Sequence, residues 1–309
     1  MIDYAIQTVK LSKQFGDIVS VDALDLQVPE GSVLGFVGVN GAGKTTTLRM
    51  LMGHLHPSSG TMTVLGGDPR EHGESIKQQV AYVSENMCLP GWMTPEQAIR
   101  FNAGLFRDWN GSLAEELLGE FELRGAGAFG RLSKGQKRKI CILLAICQNA
   151  KLLIMDELAS GLDVMARRSF LERVLEIVCN DNRTVFLSSH LLSDLERIVD
   201  RISIIDSGRG IWNGYMDDLK TGVRKIHIAD SGIEQMIAER FTILRHERID
   251  EHETAITVLD YDEAGFSVFC REHECSEKAR VFGLNLEDIF VEMIKGNKQI
   301  QSDREEAIS

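Results

Sequence analysis

No run of apolar residues in this chain approaches the roughly 20 that a membrane-spanning helix requires. The longest candidate, Ile140 to Cys147, is cut short by Gln148, Asn149 and Lys151. The chain is therefore expected not to cross a membrane itself. Its opening residues, MIDYAIQTVK, lack the basic start and apolar core of a secretory signal, which points to a cytoplasmic location. An excess of basic charge is missing too. Lys and Arg number 34 against 46 Asp and Glu, a formal net charge of -12. That balance argues against a nucleic-acid partner, because neutralising phosphates takes clustered cations. Cys88, Cys141, Cys147, Cys179, Cys270 and Cys275 show no CxxC spacing and read as reduced thiols. Cys141 and Cys147 lie in an apolar helical run and read as small core residues. Cys270, His273 and Cys275 are the nearest approach to a metal set, but a helix would spread them over different faces. Internal repeats and low-complexity segments are absent as well.

What is present is ordinary globular composition, 43% hydrophobic and 26% charged over 309 residues, enough for one large core and a smaller one. Short, nearly continuous apolar runs at Val33–Val37, Leu152–Met155, Thr184–Ser188 and Ile202–Asp206 read as strands of a parallel sheet covered on both faces. Helical patterns follow the first three, at Lys44–Met52, Val164–Cys179 and Leu192–Asp200, giving an α/β organisation. Ile211 to Gly214 reads as a turn closing the last strand. Beyond it, residues 221–309 hold 11 Lys and Arg against 19 Asp and Glu, the more acidic part of the chain. Strands near Lys225–Ala229, Thr242–Arg245 and Ala255–Leu259 are expected there, with helices near Ile233–Arg240, Ala264–Glu272 and Leu286–Lys295. The expected division is 1–216, 217–298 and a polar, frayed tail at 299–309.

The strongest local signal is GVNGAGKTT, Gly38 to Thr46, set between the strand Val33–Val37 and an apolar-periodic helix. That is the phosphate-loop pattern in the strand–loop–helix context it requires. Its glycines let backbone N–H groups turn onto phosphates, and the helix N-terminus adds a positive dipole. Gly38, Asn40, Gly41, Ala42, Gly43, Lys44, Thr45 and Thr46 are thus candidate nucleotide contacts. Lys44 is expected on the β- and γ-phosphates and the Thr45 hydroxyl on Mg²⁺. A second signal is Leu152-Leu153-Ile154-Met155-Asp156-Glu157, an apolar strand ending in two carboxylates at the sheet edge where the phosphate loop lies. Asp156 suits Mg²⁺, and Glu157 suits orienting or deprotonating an attacking water.

Leu132-Ser133-Lys134-Gly135-Gln136 resembles the LSGGQ signature of ABC ATPases, with Lys134 in place of the first glycine. Ser160-Gly161-Leu162-Asp163 is similar to that family's D-loop, and His190, in Ser188-Ser189-His190, to its switch histidine. The motifs span residues 1 to about 212. The resemblance implies an α/β fold, a P-loop NTPase ABC cassette with a mixed sheet core and a helical signature subdomain, followed by a small α+β domain. It implies ATP hydrolysis by two cassettes closed head to tail, with Ser133, Gly135, Gln136 and Asp163 meeting the nucleotide of the opposite subunit. It further implies a contact of His190 with the γ-phosphate and stacking of Phe15 on adenine, worth about 1–3 kcal/mol for such contacts.

Two departures stand beside these matches. Glu85 occupies the place where many members carry a glutamine that serves Mg²⁺, and it brings a negative charge there. Leu158-Ala159 replaces the usual Pro-Thr after the catalytic glutamate. The segment Met87 to Phe106, with Trp92, Met93 and Phe101, offers an apolar groove to a short helix of a separate transmembrane permease. The resulting expectation is a transport-coupled ATPase, peripheral at the inner face of the membrane through its permease. A non-transport ABC ATPase acting as a soluble regulatory or assembly factor is the alternative. The ending Leu286-Glu287-Asp288-Ile289-Phe290 is similar to that of exporter cassettes. If the C-terminal region clamps a dimer, as that likeness suggests, Ile289, Phe290, Met293 and Ile294 face the second subunit; if it stands alone, they fill its own core.

Overall fold

In the computed structural model the phosphate-loop strand sits inside a six-stranded sheet, while the first strands of the chain form a separate antiparallel layer. The structure describes residues 3–84, 87–157, 164–180, 182–189, 191–229, 231–250, 253–273 and 279–306. The chain divides into two units, Met1–Asn213 and Gly214–Ser309.

The first unit runs β1 (Tyr4–Phe15), β2 (Ile18–Pro29), β3 (Val33–Val37), α1 (Lys44–Leu51), β4 (Ser59–Val64), α2 (Gly73–Gln79) and β5 (Val80–Val83). A helical region follows, with α3 (Pro95–Ala103), α4 (Gly111–Glu120) and α5 (Lys134–Cys147). The chain then returns to the sheet through β6 (Leu152–Asp156), α6 (Val164–Asn180), β7 (Thr184–Ser189), α7 (Leu192–Leu195), β8 (Arg201–Asp206) and β9 (Arg209–Tyr215). The large sheet has the order β5-β6-β7-β3-β8-β9. Its pairings from β5 through β8 are parallel, so the carboxyl ends of β3, β6 and β7 meet at one edge. These strands are buried along nearly their whole length, as strands covered on both faces must be.

The small sheet, β2-β1-β4, is antiparallel, and Phe15 pairs with Ile18 across the two-residue turn Gly16-Asp17. Its inward residues Ile6, Leu11, Leu24, Leu26 and Met62 share one core with Leu48, Met50 and Leu51 of α1 and with Leu34, Phe36 and Phe186 of the large sheet. The helix that follows the phosphate loop is thus held within one apolar cluster that both sheets line. Removing these side chains from water is the main stabilising term, about 25 cal/mol per Å² of apolar surface.

Two expected boundaries are corrected. The helix starting at Leu192 stops at Leu195 instead of Asp200, after which Asp200 binds the Val33 N–H at 2.9 Å and is used as a strand anchor. Ile211 to Gly214 is part of strand β9 and not a turn, because pairing beside β8 overrides the weak strand propensity of Asn-Gly.

The second unit runs α8 (Met216–Gly222), β10 (Arg224–Ile228), α9 (Ser231–Arg240), β11 (Ile243–Arg248), β12 (Thr254–Val258), α10 (Glu263–Glu272), β13 (Ala279–Gly283) and α11 (Leu286–Glu306). From β10 to β13 this is the split β-α-β-β-α-β arrangement, an antiparallel sheet in the order β11-β12-β10-β13. Ile226, Ile228, Ile256 and Val258 pack with Ile233, Ile237, Phe266 and Phe269 of α9 and α10. Cys270 belongs to that core, and His273 lies against the Phe269 ring. Side chains alternate across a strand, so Lys225 and Thr257 point to the opposite face, where α11 docks. Helix α11 continues to Glu306, through most of the stretch expected to be frayed, since its Gln, Arg and Glu residues are good helix formers.

The docking of α11 is keyed by Glu292, which is only 7% exposed. It accepts hydrogen bonds from Arg245 at 2.9 Å, Lys225 at 3.3 Å and Thr257 at 3.1 Å. Of the four apolar residues expected either in this unit's own core or against a second subunit, Ile289, Met293 and Ile294 are buried within this chain and Phe290 is partly exposed. Burial alone would raise the Glu292 pKa, but Lys225 and Arg245 outweigh it and hold the carboxyl below its ordinary value of 4.5. A depressed folded-state pKa stabilises the fold above the unfolded pKa and loses that stabilisation as pH falls through the folded one. Glu292→Gln should therefore cost about 2 kcal/mol at neutral pH, and the difference from wild type should shrink below pH ~4. Urea melts of the full chain at pH 7 and in acid measure both.

Candidate active site

At Gly38 and Gly43 the phosphate loop is wedged against strands that leave no room for a side chain. A Cβ on Gly38 would lie 2.4 Å from the Ile205 carbonyl oxygen of β8, and one on Gly43 would lie 2.5 Å from the Ser20 carbonyl oxygen of β2. Gly43 also has φ +105, a conformation that side chains rarely adopt. It is the N-cap of α1 and offers no capping side chain, and the first turn of α1 carries no acidic residue. The helix N-terminus is thereby left open to an anion. The β8–β9 turn braces the loop from outside, with Gly208 N–H on the Ala42 carbonyl at 3.0 Å and Asp22 N–H on the Gly208 carbonyl at 2.9 Å.

A cavity of about 420 Å³ opens above this loop, lined by Ser20, Asn40, Gly41, Gly43, Lys44, Thr45, Thr46 and Glu157. Lys44 is buried, its ammonium donating to the Gly38 carbonyl at 2.7 Å and the Val39 carbonyl at 3.3 Å. Burial lowers its pKa, and the facing charges of Glu157 and Asp156 oppose that shift. Lys44 therefore sits across the loop from both carboxylates of the β6 end, although these come more than a hundred residues later in the chain. Asp156 is buried and accepts the Ser188 hydroxyl of β7 at 2.6 Å.

Glu157 has φ +49, a left-handed backbone that is costly for a non-glycine residue. Both of its backbone polar groups are held. Its N–H donates to the Ser188 carbonyl at 3.0 Å, and its carbonyl accepts from Arg138 of α5 at 2.7 Å. Sequence reasoning missed Arg138, which looks like one more cation in Lys134-Gly135-Gln136-Lys137-Arg138-Lys139 but is 6% exposed. It missed Ser20 too, whose hydroxyl is 2.8 Å from that of Thr46.

The signature residues stand apart from the cavity. Ser133 caps α5, accepting from the Gln136 N–H at 3.2 Å while Gln136 accepts the Ser133 N–H at 3.0 Å, a reciprocal capping box. Ser133 and Lys134 are exposed, with Gly135 and Gln136 partly so. None of the four lines the cavity. Phe15 is 49% exposed at the tip of the β1–β2 hairpin with Lys13 over its ring, so it is not a core residue. Glu85, Asp163 and His190 lie outside the described residues, as do Leu158 and Ala159. Among the described residues no group of His, Cys, Asp and Glu forms a metal cluster, and no helix is long and apolar enough to cross a membrane.

Residues 21–160 match the family model for ABC transporters. The chain is 32% identical over 225 residues to the bacitracin transport ATP-binding protein BcrA of Bacillus licheniformis, covering 71% of this chain and 72% of that protein. It is 34% identical over 219 residues to the Nod factor export ATP-binding protein I of Cupriavidus metallidurans, covering 69% and 72%. A solved ATP-binding subunit of an ABC transporter shares its fold with a TM-score of 0.63 at 28% identity, over 70% of this chain and 92% of that one.

Replacing Lys44 by Ala removes the one cation lining the cavity among the described residues. The loss of a charge-assisted contact to phosphate should weaken MgATP binding by roughly 100-fold. Titration calorimetry on the full chain tests this, and unchanged affinity would reject the cradle.

Proposed function

This chain belongs to the ABC transporter family and is an ATPase, and from that premise we propose that it is the motor subunit of an exporter whose membrane-spanning permease is a separate polypeptide. The observation that carries the reading is the convergence of the phosphate loop, Lys44 and Glu157 around one cavity, with the buried Asp156 carboxylate acting on Lys44 from the end of β6. Lys44 exchanges the Gly38 and Val39 carbonyls for β- and γ-phosphate oxygens of ATP. Thr45 and Asp156 offer hard oxygen donors of the kind Mg²⁺ takes, which makes them the residues to hold that ion. The ion, when bound, offsets charge on the phosphates. Glu157 orients the attacking water and takes its proton as the water oxygen bonds to the γ-phosphorus. The bond to the bridging oxygen breaks, and ADP and phosphate leave. His190 contacts the γ-phosphate, Glu85 serves the metal site and Phe15 stacks on adenine, roles that rest on the resemblance.

The separation of Ser133, Gly135 and Gln136 from the cavity supports a site completed in trans. In that arrangement the N-terminus of α5, together with Asp163, meets the nucleotide held by a second cassette. Export is supported by relatives named for bacitracin transport and Nod factor export. A permease contact is supported by the apolar side chains around α3, where Trp92, Phe101 and Leu105 are 69%, 58% and 52% exposed. Met93 of the same segment is buried and fills the core. That contact would place the subunit at the inner face of the membrane.

Glu157→Gln should leave ATP binding nearly intact and lower turnover by roughly 10²–10⁴, the range for loss of a positioned general base. It should also accumulate an ATP-bound dimer on a sizing column; hydrolysis near the wild-type rate would assign the base elsewhere. The trans geometry has its own test in mixtures. Ser133→Arg and Lys44→Ala should each be inactive alone, yet mixing them should restore activity through one intact composite site. No recovery at any mixing ratio counts against the head-to-tail arrangement.

A further inference from the structure

Arg138 carries a permanent charge into the interior of the first unit without serving the cavity that binds phosphate. Burying a guanidinium is expensive unless its donors are met. Here they reach three backbone carbonyls on two strand ends: Ser84 just past β5 at 2.8 Å, Asp156 of β6 at 2.7 Å and Glu157 at 2.7 Å. A guanidinium suits this task because its donors form a rigid planar fork, whereas an ammonium is a compact point charge. The stem arises from the second turn of α5, the helix capped by the signature serine.

Glu157 needs such a restraint. Its φ of +49 persists only where surrounding contacts over-determine it. One of them is the Ser188 carbonyl on its N–H, which fixes the residue to β7. A second is Arg138 on its carbonyl, which fixes it to α5. Loss of the second contact weakens the restraint on this backbone conformation, and the carboxylate shifts with the backbone.

We infer that Arg138 is a positioning residue for hydrolysis, holding the Glu157 backbone in its left-handed conformation and tying that conformation to the signature helix. The inference rests on reading Glu157 as the general base. It has a mechanical corollary: the helix whose N-terminus meets the partner's nucleotide is bonded to the backbone of this subunit's own base. Movement of α5 on closure is then transmitted to Glu157 through two hydrogen bonds to consecutive carbonyls, those of Asp156 and Glu157.

The test is a double-mutant cycle on the full chain, with Arg138→Met and Arg138→Lys each made alone and with Glu157→Gln. MgATP hydrolysis is followed in steady state and in single turnover. Arg138→Met should lower kcat by roughly 10–100-fold, the penalty for misplacing a catalytic group by about an ångström. The KM for ATP should stay within about threefold, since the phosphate loop is untouched. In the Glu157→Gln background the same change should alter the residual single-turnover rate by less than about twofold, because the group it positions is gone. Equal losses in both backgrounds, or a KM that rises in step with the fall in kcat, would overturn the inference and leave Arg138 a structural residue. Should Arg138→Met fail to fold in a thermal melt, Arg138→Lys, which keeps the cation and the stem, carries the same cycle with the same criteria. A Glu157→Gln variant with wild-type turnover would remove the base assignment and this inference together, whereas additive losses with an inactive Glu157→Gln remove only the inference.

Discussion

Everything in the first unit depends on two backbone contacts too close for any side chain, Gly38 against Ile205 and Gly43 against Ser20. They bring the phosphate loop into the seam between the parallel sheet and the antiparallel layer. Once the loop is in that seam, α1 has only one way to run, into the apolar cluster that both sheets line, where Leu48, Met50 and Leu51 are buried. The helix then fixes the relation of the two sheets, and the parallel pairing β6-β7-β3 brings Asp156 and Glu157 to face Lys44. Packing density of this kind leaves little slack, so the site inherits its precision from the core.

Electrostatics at the site is a balance between burial and facing charge. Lys44 sits where burial weakens its hold on a proton, while Glu157 and Asp156 strengthen it. The Lys44 ammonium now contacts two loop carbonyls, which phosphate oxygens of an arriving polyanion can replace. The excess of acid over base across the chain is not repeated in this cavity, where the hydroxyls of Ser20, Thr45 and Thr46 stand beside one ammonium, Lys44, and one carboxylate, Glu157.

The parts of the fold legible in sequence were those whose signal is local. Val33–Val37, Leu152–Met155 and Thr184–Ser188 are nearly continuous apolar runs because both faces of their sheet are covered, and the phosphate loop is a contiguous motif. The antiparallel layer escaped notice because its alternation is broken. Register shifts between Thr8 and Leu11 and again before Lys13 interrupt the period of two on which such a reading relies. Arg138 was illegible for a different reason. A buried arginine and a solvated one look alike in a basic run, and only the approach of Ser84, Asp156 and Glu157 from distant parts of the chain separates them. The stripe of α11 was ambiguous on the same ground: an apolar stripe in sequence does not say which surface it meets, and Ile289, Met293 and Ile294 are buried in their own chain while Phe290 is only partly buried.

Helix α11 has one more property that follows from its face toward the sheet. Glu292 and Gly296 are four residues apart and so lie one above the other on the same side of the helix. A Cβ at Gly296 would approach the Leu244 carbonyl oxygen to 2.3 Å, so that point of contact accepts only glycine. Sliding the helix by one residue either way would set Lys295 or Asn297 over that carbonyl and draw Glu292 away from Arg245 and Lys225. The helix is thus indexed like a key with one notch and one charged tooth, and its 21 residues can seat in a single register. What the glycine costs in helix propensity, about 1 kcal/mol, it returns as uniqueness of docking.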